Sequence, residues 1–578
     1  MYLIEYLNKR KRGVMIFMAV LAMFFVLSPS VSLFAEEAKK VSVDYRDFPI
    51  IGSRNAIWIV AQLHLLFGSF ILAVPIFALI AEFIGWKSGD KKFDGLAHEF
   101  ANLLSAAYSM TLMLGGMLLF LFVSLYPKFW NYLTGIFWPT YLVYIGLFLL
   151  TAFSVYLYSY CWDLMEDKKV LHMFIGCLLN LSGFLIMCVS DSWMTYQNSP
   201  VVLPADIGAW ERAWMAVNNF TWWPINIHRI IGNVAFGGFV CGAYAGIKFL
   251  GAKTDEERAH YDWMGYIGNF IGTFGLLPLP FAGYWLMREI YMFSQQMGIT
   301  LMGGFLAWLF IIQAALIGAL FLCVNYYFWQ GLSNRIDGGE TYKKFIIPML
   351  VSLVACVGIW MTPHSIVATA EEVTAMGGAH HPKLGSFGVM SAKVTVVNIM
   401  ILVTFISFLL YWRANQKETV RWATAGKIFQ VILFTVAIVW VIVLGIWGYF
   451  VPAIVRINKF SVWQVLSVLT VMAICVPMTG MMLKNAKSTG EMHWGRMSVR
   501  SQYALIGNAL LVVMLMTLMG YARSASRVHW HIFGVMRDTS RHAFSPALGF
   551  ASMMWFLIIF IFGALLTFVF WIANVSKH

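Results

Sequence analysis

The sequence is poor in charged residues. Only 12% of its 578 residues are Asp, Glu, Lys or Arg, whereas soluble domains carry about 25%. Because 60% of the residues are hydrophobic, a set of soluble globular domains is excluded. The net charge of +13 does not indicate nucleic acid as a partner, since the basic residues form short clusters between apolar runs, where membrane topology signals lie.

Cysteine is scarce as well, and the seven cysteines stand singly in or beside apolar runs. No Cys-x-x-Cys-His motif occurs, which excludes covalently attached haem c on this chain. Paired disulfides and a structural zinc site lack the spacing that they need. We therefore expect the cysteines to be small packing residues.

Long apolar runs dominate the sequence. A membrane-spanning helix needs about 20 apolar residues. The apolar runs therefore predict an all-α polytopic membrane protein of about fourteen such helices. The runs cover 14–35, 57–84, 101–126, 137–162, 170–190, 224–250, 263–287, 301–329, 345–362, 391–412, 428–450, 462–482, 501–521 and 549–573.

The loops between the runs alternate in charge. One set is basic and includes Lys9-Arg10-Lys11-Arg12 and Lys168-Lys169. The positive-inside rule places this set on the cytoplasmic side, together with both termini if the first helix is retained. The first run is similar to a secretory signal, and we favour a retained anchor. The longer opposite loops, 191–223, 363–390 and 522–548, are then periplasmic.

Two histidines at the outer ends of predicted spans are candidate cofactor ligands. His64 lies roughly two turns into its helix, and His228 lies at the start of another. Ionisable groups in a membrane are costly and often mark function, and two histidines at one membrane level suit axial haem ligation. Arg229 would then suit a haem propionate. The alternative is that both histidines are helix-packing or interfacial residues.

Four stretches between about 52 and 413 carry a family resemblance. They are Gln62-Leu63-His64-Leu65-Leu66-Phe67, Tyr160-Cys161-Trp162-Asp163, Asp191-Ser192-Trp193-Met194, and His228 with the Gly-rich run after it. Together they resemble subunit I of cytochrome bd. The resemblance implies a nine-helix haem-binding core at 52–413. The apolar runs on either side predict an anchor or signal-like helix with a periplasmic segment at 1–51 and a four-helix extension at 414–578.

The resemblance also implies the cofactors and their ligands. His64 and His228 stand where the family binds haem, one at the oxygen-reducing di-haem site and one at the low-spin b haem. We expect one or more haem b, with haem d as a further candidate. The second low-spin ligand is a methionine on the seventh core helix, for which Met302 is the candidate and Gln313 a poor substitute. His364 would ligate, hold a propionate or cap a helix.

The sequence departs from this family in two ways. Only Arg288 to Thr300 separate the sixth and seventh core helices, too few residues for a quinol-binding loop. The third core helix, Tyr141 to Tyr160, has no carboxylate, and Thr151 stands where a glutamate is expected. Buried carboxylates usually relay protons in membranes, so these departures argue against quinol oxidation at the usual place and against oxygen reduction.

For the other histidines the sequence gives weaker evidence of a function. His98 and His172 lie at cytoplasmic helix ends, where they would start a proton path or, as we favour, pack at the interface. His380-His381 and His529 with His531 lie in outer loops, where they would bind a metal or remain solvated.

The sequence thus predicts a haem-binding electron-transfer subunit of a respiratory complex in the bacterial inner membrane. Its expected partners are the lipid membrane, other membrane subunits and a periplasmic c-type cytochrome, and its chemistry is that of an oxidoreductase. Three alternatives stay open: a functional bd-type oxygen reductase subunit, a cytochrome b that passes electrons between quinone and c-type partners, and a haem-free anchor or transporter.

Overall fold

A computed structural model of the protein describes residues 43–294, 297–298, 301, 307–361, 390–451, 455–543 and 548–575. Thirteen helical spans in these ranges are long and apolar enough to cross a membrane, with Asp255–Phe293 counted as one span. They match each predicted run from 57–84 onwards, which confirms an all-α multi-pass membrane protein. The first predicted run, 14–35, lies outside the described residues.

The helices and strands occur along the chain in the following order. The helices are α1 Ser53–Ser88, α2 Lys91–Leu125, α3 Pro127–Tyr160, α4 Lys169–Asn198, α5 Ala209–Val217, α6 Trp222–Leu250, α7 Asp255–Leu276, α8 Leu279–Phe293, α9 Ala307–Asn334, α10 Ile346–Trp360, α11 Met390–Arg413, α12 Ala423–Trp447, α13 Ser461–Leu483, α14 Val499–Ser526 and α15 Leu548–Val575. Two antiparallel pairs of short strands join loops: β1 Gln416–Lys417 with β2 Lys487–Ser488, and β3 Trp530–Ile532 with β4 Met536–Arg537.

The described chain divides into two compact units. The first unit holds the described residues up to Asn233 and those from Arg523 onwards, and the second holds Val234 to Ala522. Within the first unit the last helix, α15, packs against α1 and α2, and the Phe562 ring lies 5.2 Å from that of Phe67. The boundaries predicted at 51 and 413 stay predictions.

The first unit has two chemically distinct ends. At one end α1 finishes and α2 and α4 begin; we call it the lysine-rich end, and its lysines are Lys87, Lys91, Lys92, Lys168 and Lys169. At the opposite end α1 begins and α4 finishes; we call it the arginine end, and four of its arginines are Arg54, Arg229, Arg523 and Arg527.

Local sequence explains the turn at the lysine-rich end. Gly89 follows α1 with φ of 72°, a left-handed conformation that glycine adopts without steric cost. Asp90 then caps α2, because its carboxylate accepts a hydrogen bond of 2.9 Å from the backbone N–H of Lys92. The two residues together reverse the chain between two long antiparallel helices.

The run predicted at 263–287 as one helix consists of two. α7 ends at Leu276 and α8 begins at Leu279, with Pro278 between them. Proline has no N–H to donate and its ring clashes with the preceding turn, so it interrupts a helix.

The second unit contains a fully buried ion pair. The Arg335 Nε lies 3.2 and 3.1 Å from the two carboxylate oxygens of Asp262, and the guanidinium carbon lies 5.1 Å from the Tyr327 ring and 5.2 Å from the Trp494 ring. The backbone N–H of Gly495 donates to the same carboxylate at 2.8 Å. Because both charges are so well partnered, we assign the pair a structural role in holding the loop at 495.

Glycines set the distance between α6 and α7. A Cβ on Gly268 would lie 2.6 Å from the backbone nitrogen of Gly242 and 2.7 Å from its Cα. Backbone atoms cannot move aside as a flexible side chain can, so the helices would have to separate. The small residues that the sequence places in these helices therefore serve close helix packing.

We predict that Gly268→Ala destabilises the protein by about 1–3 kcal/mol, the usual cost of overpacking. A lower thermal unfolding midpoint in detergent, followed by loss of helical circular dichroism, would measure it. Gly358→Ala is the matched control, because no atom lies within 4 Å of the added Cβ. Equal midpoints for the two variants would contradict the prediction.

Candidate functional site

One ring nitrogen of His64 forms a hydrogen bond, and the other is available to bind a ligand. The residue lies on α1, eleven positions after Ser53 and so about 17 Å along the helix, and it is half-buried. Its Nδ1 lies 3.1 Å from the carbonyl oxygen of Thr111 on α2. A carbonyl only accepts, so Nδ1 carries the proton and Nε2 keeps its lone pair. This is the arrangement that fixes a histidine for metal ligation.

Gly115 lets α2 approach the His64 ring. A Cβ at this position would lie 3.0 Å from the ring Cε1 and 3.4 Å from Nδ1. By contrast, no atom lies within 4 Å of a Cβ on Gly116. Of the Gly115-Gly116 pair in the sequence, the first is therefore the one that shapes the surroundings of His64.

His228 lies six positions after Trp222, the first residue of α6. It is half-buried, and neither of its ring nitrogens hydrogen-bonds to a described residue. An imidazole without protein partners in a membrane helix is unusual, because it loses its water contacts without replacement. The ring is thus chemically available to a ligand.

Arg229 forms an ion pair with Asp191 of α4. Asp191 is fully buried, and its second carboxylate oxygen has no hydrogen-bond partner among the described residues. The sequence analysis singled out both residues but did not predict that they pair. Asp191 thus holds the guanidinium of Arg229, the residue that follows His228 in the chain.

Four arginines gather at the arginine end. Arg523 lies within electrostatic range of Arg229 and of Arg54, and Arg527 lies within range of Arg54 and Arg523. Arg229 is also near enough to His64 for their charges to interact. Burial lowers the pKa of Arg527 in the loop after α14, and the neighbouring charges of Arg54 and Arg523 lower it further.

The buried carboxylates do not balance these arginines. Two of the buried carboxylates in the described chain lie at this end, Asp191 and Asp538. Asp538 is 3.8 Å from Arg54 Nη1 and accepts a hydrogen bond of 2.6 Å from Ser540 Oγ. Two carboxylates against four guanidinium groups leave an excess of two positive charges, and a buried excess of this kind favours an anion.

His531 does not alter this balance. Its ring stacks on that of Phe129 with centroids 4.6 Å apart, and its Nε2 lies 3.5 Å from Asp538. Burial, opposed by the carboxylate of Asp538, lowers its pKa, so the ring is neutral at pH 7. No three His, Cys, Asp or Glu side chains in the described ranges form a metal-binding group, and His380-His381 lie outside those ranges.

The helix α3, which contains no carboxylate, has a polar residue where the resemblance leads one to expect a glutamate. Thr151 of α3 is buried, and its hydroxyl is bonded to the Leu147 carbonyl at 2.8 Å and to Ser182 Oγ of α4 at 3.0 Å. A hydroxyl pair therefore stands where the resemblance leads one to expect an acid.

Two further predicted ligands, Met302 and His364, lie outside the described residues. Gln313, the substitute ligand, lies in the second unit. Its Nε2 lies 2.9 Å from Met519 Sδ, and its Oε1 accepts a hydrogen bond of 3.1 Å from Lys393 Nζ.

A buried polar cluster at the lysine-rich end was missed. His172, which we expected to pack at the interface, is buried and lies 2.6 Å through Nδ1 from the carboxylate of Glu82. His98 stacks on Trp162 at 4.9 Å, as packing predicts. The available signal was Glu82 itself, the one acidic residue in α1.

Comparison with known proteins gives a likeness to a solved structure. No protein-family model and no curated protein matches the chain. The chain is similar to a chain in the solved structure of the bd oxidase from Geobacillus thermodenitrificans, at 12% sequence identity and a TM-score of 0.46, over 91% of this chain and 97% of that one.

Proposed function

We propose that this chain is a haem-binding electron-transfer subunit of a respiratory complex in the bacterial inner membrane, with His64 and His228 as haem ligands. The observation that carries the proposal is the state of His64. Its Nδ1 donates to the Thr111 carbonyl at 3.1 Å, which leaves Nε2 as an acceptor beside the space kept by Gly115. Haem would supply one-electron redox chemistry, with iron bound through such a nitrogen.

The charge of the arginine end supports the same ligand. Haem carries two propionates, and guanidinium groups bind carboxylates through paired hydrogen bonds. Arg229 is next to His228 and within electrostatic range of His64. We propose that Arg229 binds a propionate. Arg523, within electrostatic range of Arg229, adds to the positive charge around it.

The orientation follows from the lysine distribution. By the positive-inside rule, the lysine-rich end faces the cytoplasm and the arginine end the periplasm, with both termini cytoplasmic if the first helix is retained. The proposed haem ligands are then near the periplasmic surface, within reach of a soluble or subunit-borne electron carrier.

Exposed aromatic residues near this surface suit a protein partner. Trp210 and Trp214 of the short helix α5 are 57% and 59% exposed, and Trp223 is 49% exposed. Tryptophan is enriched where proteins bind one another. We propose that a periplasmic c-type cytochrome docks at this end, since the segment between α8 and α9 is too short for a quinol loop, and that other membrane subunits cover lipid-facing helices.

The donor proposal predicts a rate that depends on salt. Reduction of the chain by a reduced c-type cytochrome should slow as ionic strength rises, because charge complementarity steers such encounters. Trp210→Ala with Trp214→Ala should slow it further, whereas Trp86→Ala at the lysine-rich end should not. Stopped-flow absorbance measures these rates, and rapid reduction by quinol without a c-type partner would contradict the proposal.

The experiment that tests the function is a reduced-minus-oxidised spectrum of the purified full chain, with haem content measured by pyridine haemochrome extraction. Haem b bands in at least stoichiometric amount are expected, with or without a haem d band. A purified, folded chain without haem would overturn the proposal in favour of a haem-free anchor or transporter.

A further inference from the structure

A titratable network lies at the opposite end of the first unit from the proposed haem ligands. The Glu82 carboxylate on α1 is fully buried. One of its oxygens lies 2.6 Å from His172 Nδ1, and the other accepts a hydrogen bond of 3.0 Å from the Tyr158 hydroxyl. The described residues thus place three proton-carrying side chains from three helices in direct contact.

The protonation pattern of this network follows from its geometry. His172 Nε2 lies 3.0 Å from the backbone carbonyl of Tyr158, which can only accept, so Nε2 carries a hydrogen. The 2.6 Å contact between His172 Nδ1 and Glu82 must then hold a single shared proton. The pair is neutral overall, as two groups buried in a membrane protein require.

The charged groups around Glu82 connect it to water. Lys169 Nζ lies 3.8 Å from Glu82 and 2.6 Å from Asp94, and the Lys169 and Asp94 side chains are partly exposed, at 15% and 30%. Lys169 also lies 4.7 Å above the Trp162 ring. Cys177 is the other titratable group within electrostatic range, and it faces Tyr158.

Buried hydroxyls continue from Tyr158 into the unit. Ser154 and Thr151 lie four and seven positions before Tyr158 in α3, on one helix face and about 10 Å along it. Thr151 donates to Ser182 of α4 at 3.0 Å. The Ser154 hydroxyl is buried and has no hydrogen-bond partner among the described residues.

The same line of hydroxyls approaches the turn that carries His64. A Cβ on Gly183, next to Ser182, would lie 3.1 Å from Leu72 of α1, so Ser182 lies near this level of α1. Ser69, one turn before Leu72, is fully buried, and its hydroxyl also lacks a partner in the described ranges. His64 follows about 7.5 Å further along the helix. Buried hydroxyls without protein partners are where ordered water completes hydrogen bonding.

We propose that Glu82, His172 and Tyr158 form a proton-uptake site, which takes a proton from the aqueous phase at the lysine-rich end and passes it along the hydroxyls toward His64. The destination rests on the proposed haem function. The site itself rests on the buried contacts and on their connection through Lys169 and Asp94 to the surface.

The transfer step conserves protons. An incoming proton binds the Glu82 oxygen that faces Tyr158, and the Tyr158 hydroxyl changes from donor to acceptor in that contact. Its own O–H is then available to another acceptor, and Ser154 lies one turn earlier in α3. When Tyr158 releases that proton onward and takes the one from Glu82, the network returns to its single shared proton.

The first test does not depend on haem. In infrared spectra of the purified full chain, wild type should show a carboxylic acid band that titrates with pH and shifts in D₂O, and Glu82→Gln should lose it. Glu166→Gln, an exposed acid near the same end, should keep it. A Glu82 band that neither titrates nor exchanges would overturn the proposal, because a sealed structural carboxyl behaves in that way.

The second test uses the haem. The midpoint potential of the wild-type haem should fall as pH rises, and this dependence should vanish in Glu82→Gln and in Tyr158→Phe, with haem content unchanged. Tyr158→Phe preserves the ring that stacks on His172 at 4.5 Å, so it remains informative if Glu82→Gln does not fold. Unchanged pH dependence in a folded variant overturns the proposal. A wild-type chain without haem refutes the proposed function instead, and the infrared test then decides the uptake site alone.

Discussion

Replacing His228 by alanine should remove one b-type signal from the reduced-minus-oxidised spectrum while the protein remains inserted and folded. The reason is that the imidazole has no hydrogen-bond partner among the described residues, so its removal breaks no hydrogen bond within them and removes the proposed bond to iron. His64→Ala should remove a second signal or change the first. Haem content per chain, measured by extraction, gives the size of the loss.

The two variants differ in their expected rescue. His64→Ala leaves a space bounded by Gly115 and the Thr111 carbonyl, which has lost its donor. Imidazole added to the buffer should enter that space, donate to the carbonyl and restore part of the haem signal. A rescue of this kind separates a missing ligand from a misfolded protein.

His98→Ala is the matched control. Its ring stacks on Trp162 at the lysine-rich end, so its loss should leave every haem band in place. If His64→Ala and His228→Ala keep the haem content of wild type, the ligand assignment is wrong. If all three variants lose haem equally, the loss reflects folding and not ligation.

Much of the fold could be predicted because lipid imposes a simple constraint. A backbone in hydrocarbon must satisfy its own hydrogen bonds, so each long apolar run becomes a helix. The run at 57–84 became α1, and comparable agreement holds through 549–573 and α15. The break at Pro278 was missed because apolar composition alone does not register a lost N–H.

The candidate site was only partly predictable, for a different physical reason. His64 and His228 stand out because a histidine in an apolar run is rare and costly. The arginine excess has no such local signal: Arg54, Arg229 and Arg527 come from distant parts of the chain, and only the packing of α1, α6 and the loop after α14 brings them together. Charge balance is a property of the assembled unit.

Glu82 and His172 illustrate a third case, in which the sequence contains a signal that the prediction did not include. A single acid within an apolar run of α1 should have been treated like the histidines. The family resemblance instead leads one to expect the acid on α3, where Thr151 lies. The contact of 2.6 Å between Glu82 and His172 shows that this membrane acid has a specific partner on another helix.

For oxygen reduction, the proposed proton supply at Glu82 and the absence of an acid at Thr151 point in opposite directions. We predict that the purified chain consumes little or no oxygen with a reduced artificial donor such as a phenylenediamine. Reducing oxygen to water takes four protons and four electrons, so the reaction site needs close acids as well as a distant supply. Glu82 offers a supply from the lysine-rich end.

Nearer to His64, however, α3 contributes Thr151 and its bond to Ser182, and a hydroxyl neither ionises at neutral pH nor ligates iron as a carboxylate does. A deprotonated acid in a membrane interior costs several kcal/mol and is retained where it has a function. A threonine at a position where an acid is expected is therefore consistent with a protein that no longer uses that acid. Oxygen uptake by the purified complex, recorded with an electrode with and without cyanide, decides the matter. Rates indistinguishable from those of the donor alone are expected, and sustained cyanide-sensitive turnover would instead favour a functional bd-type oxygen reductase whose missing acid is supplied by a partner subunit.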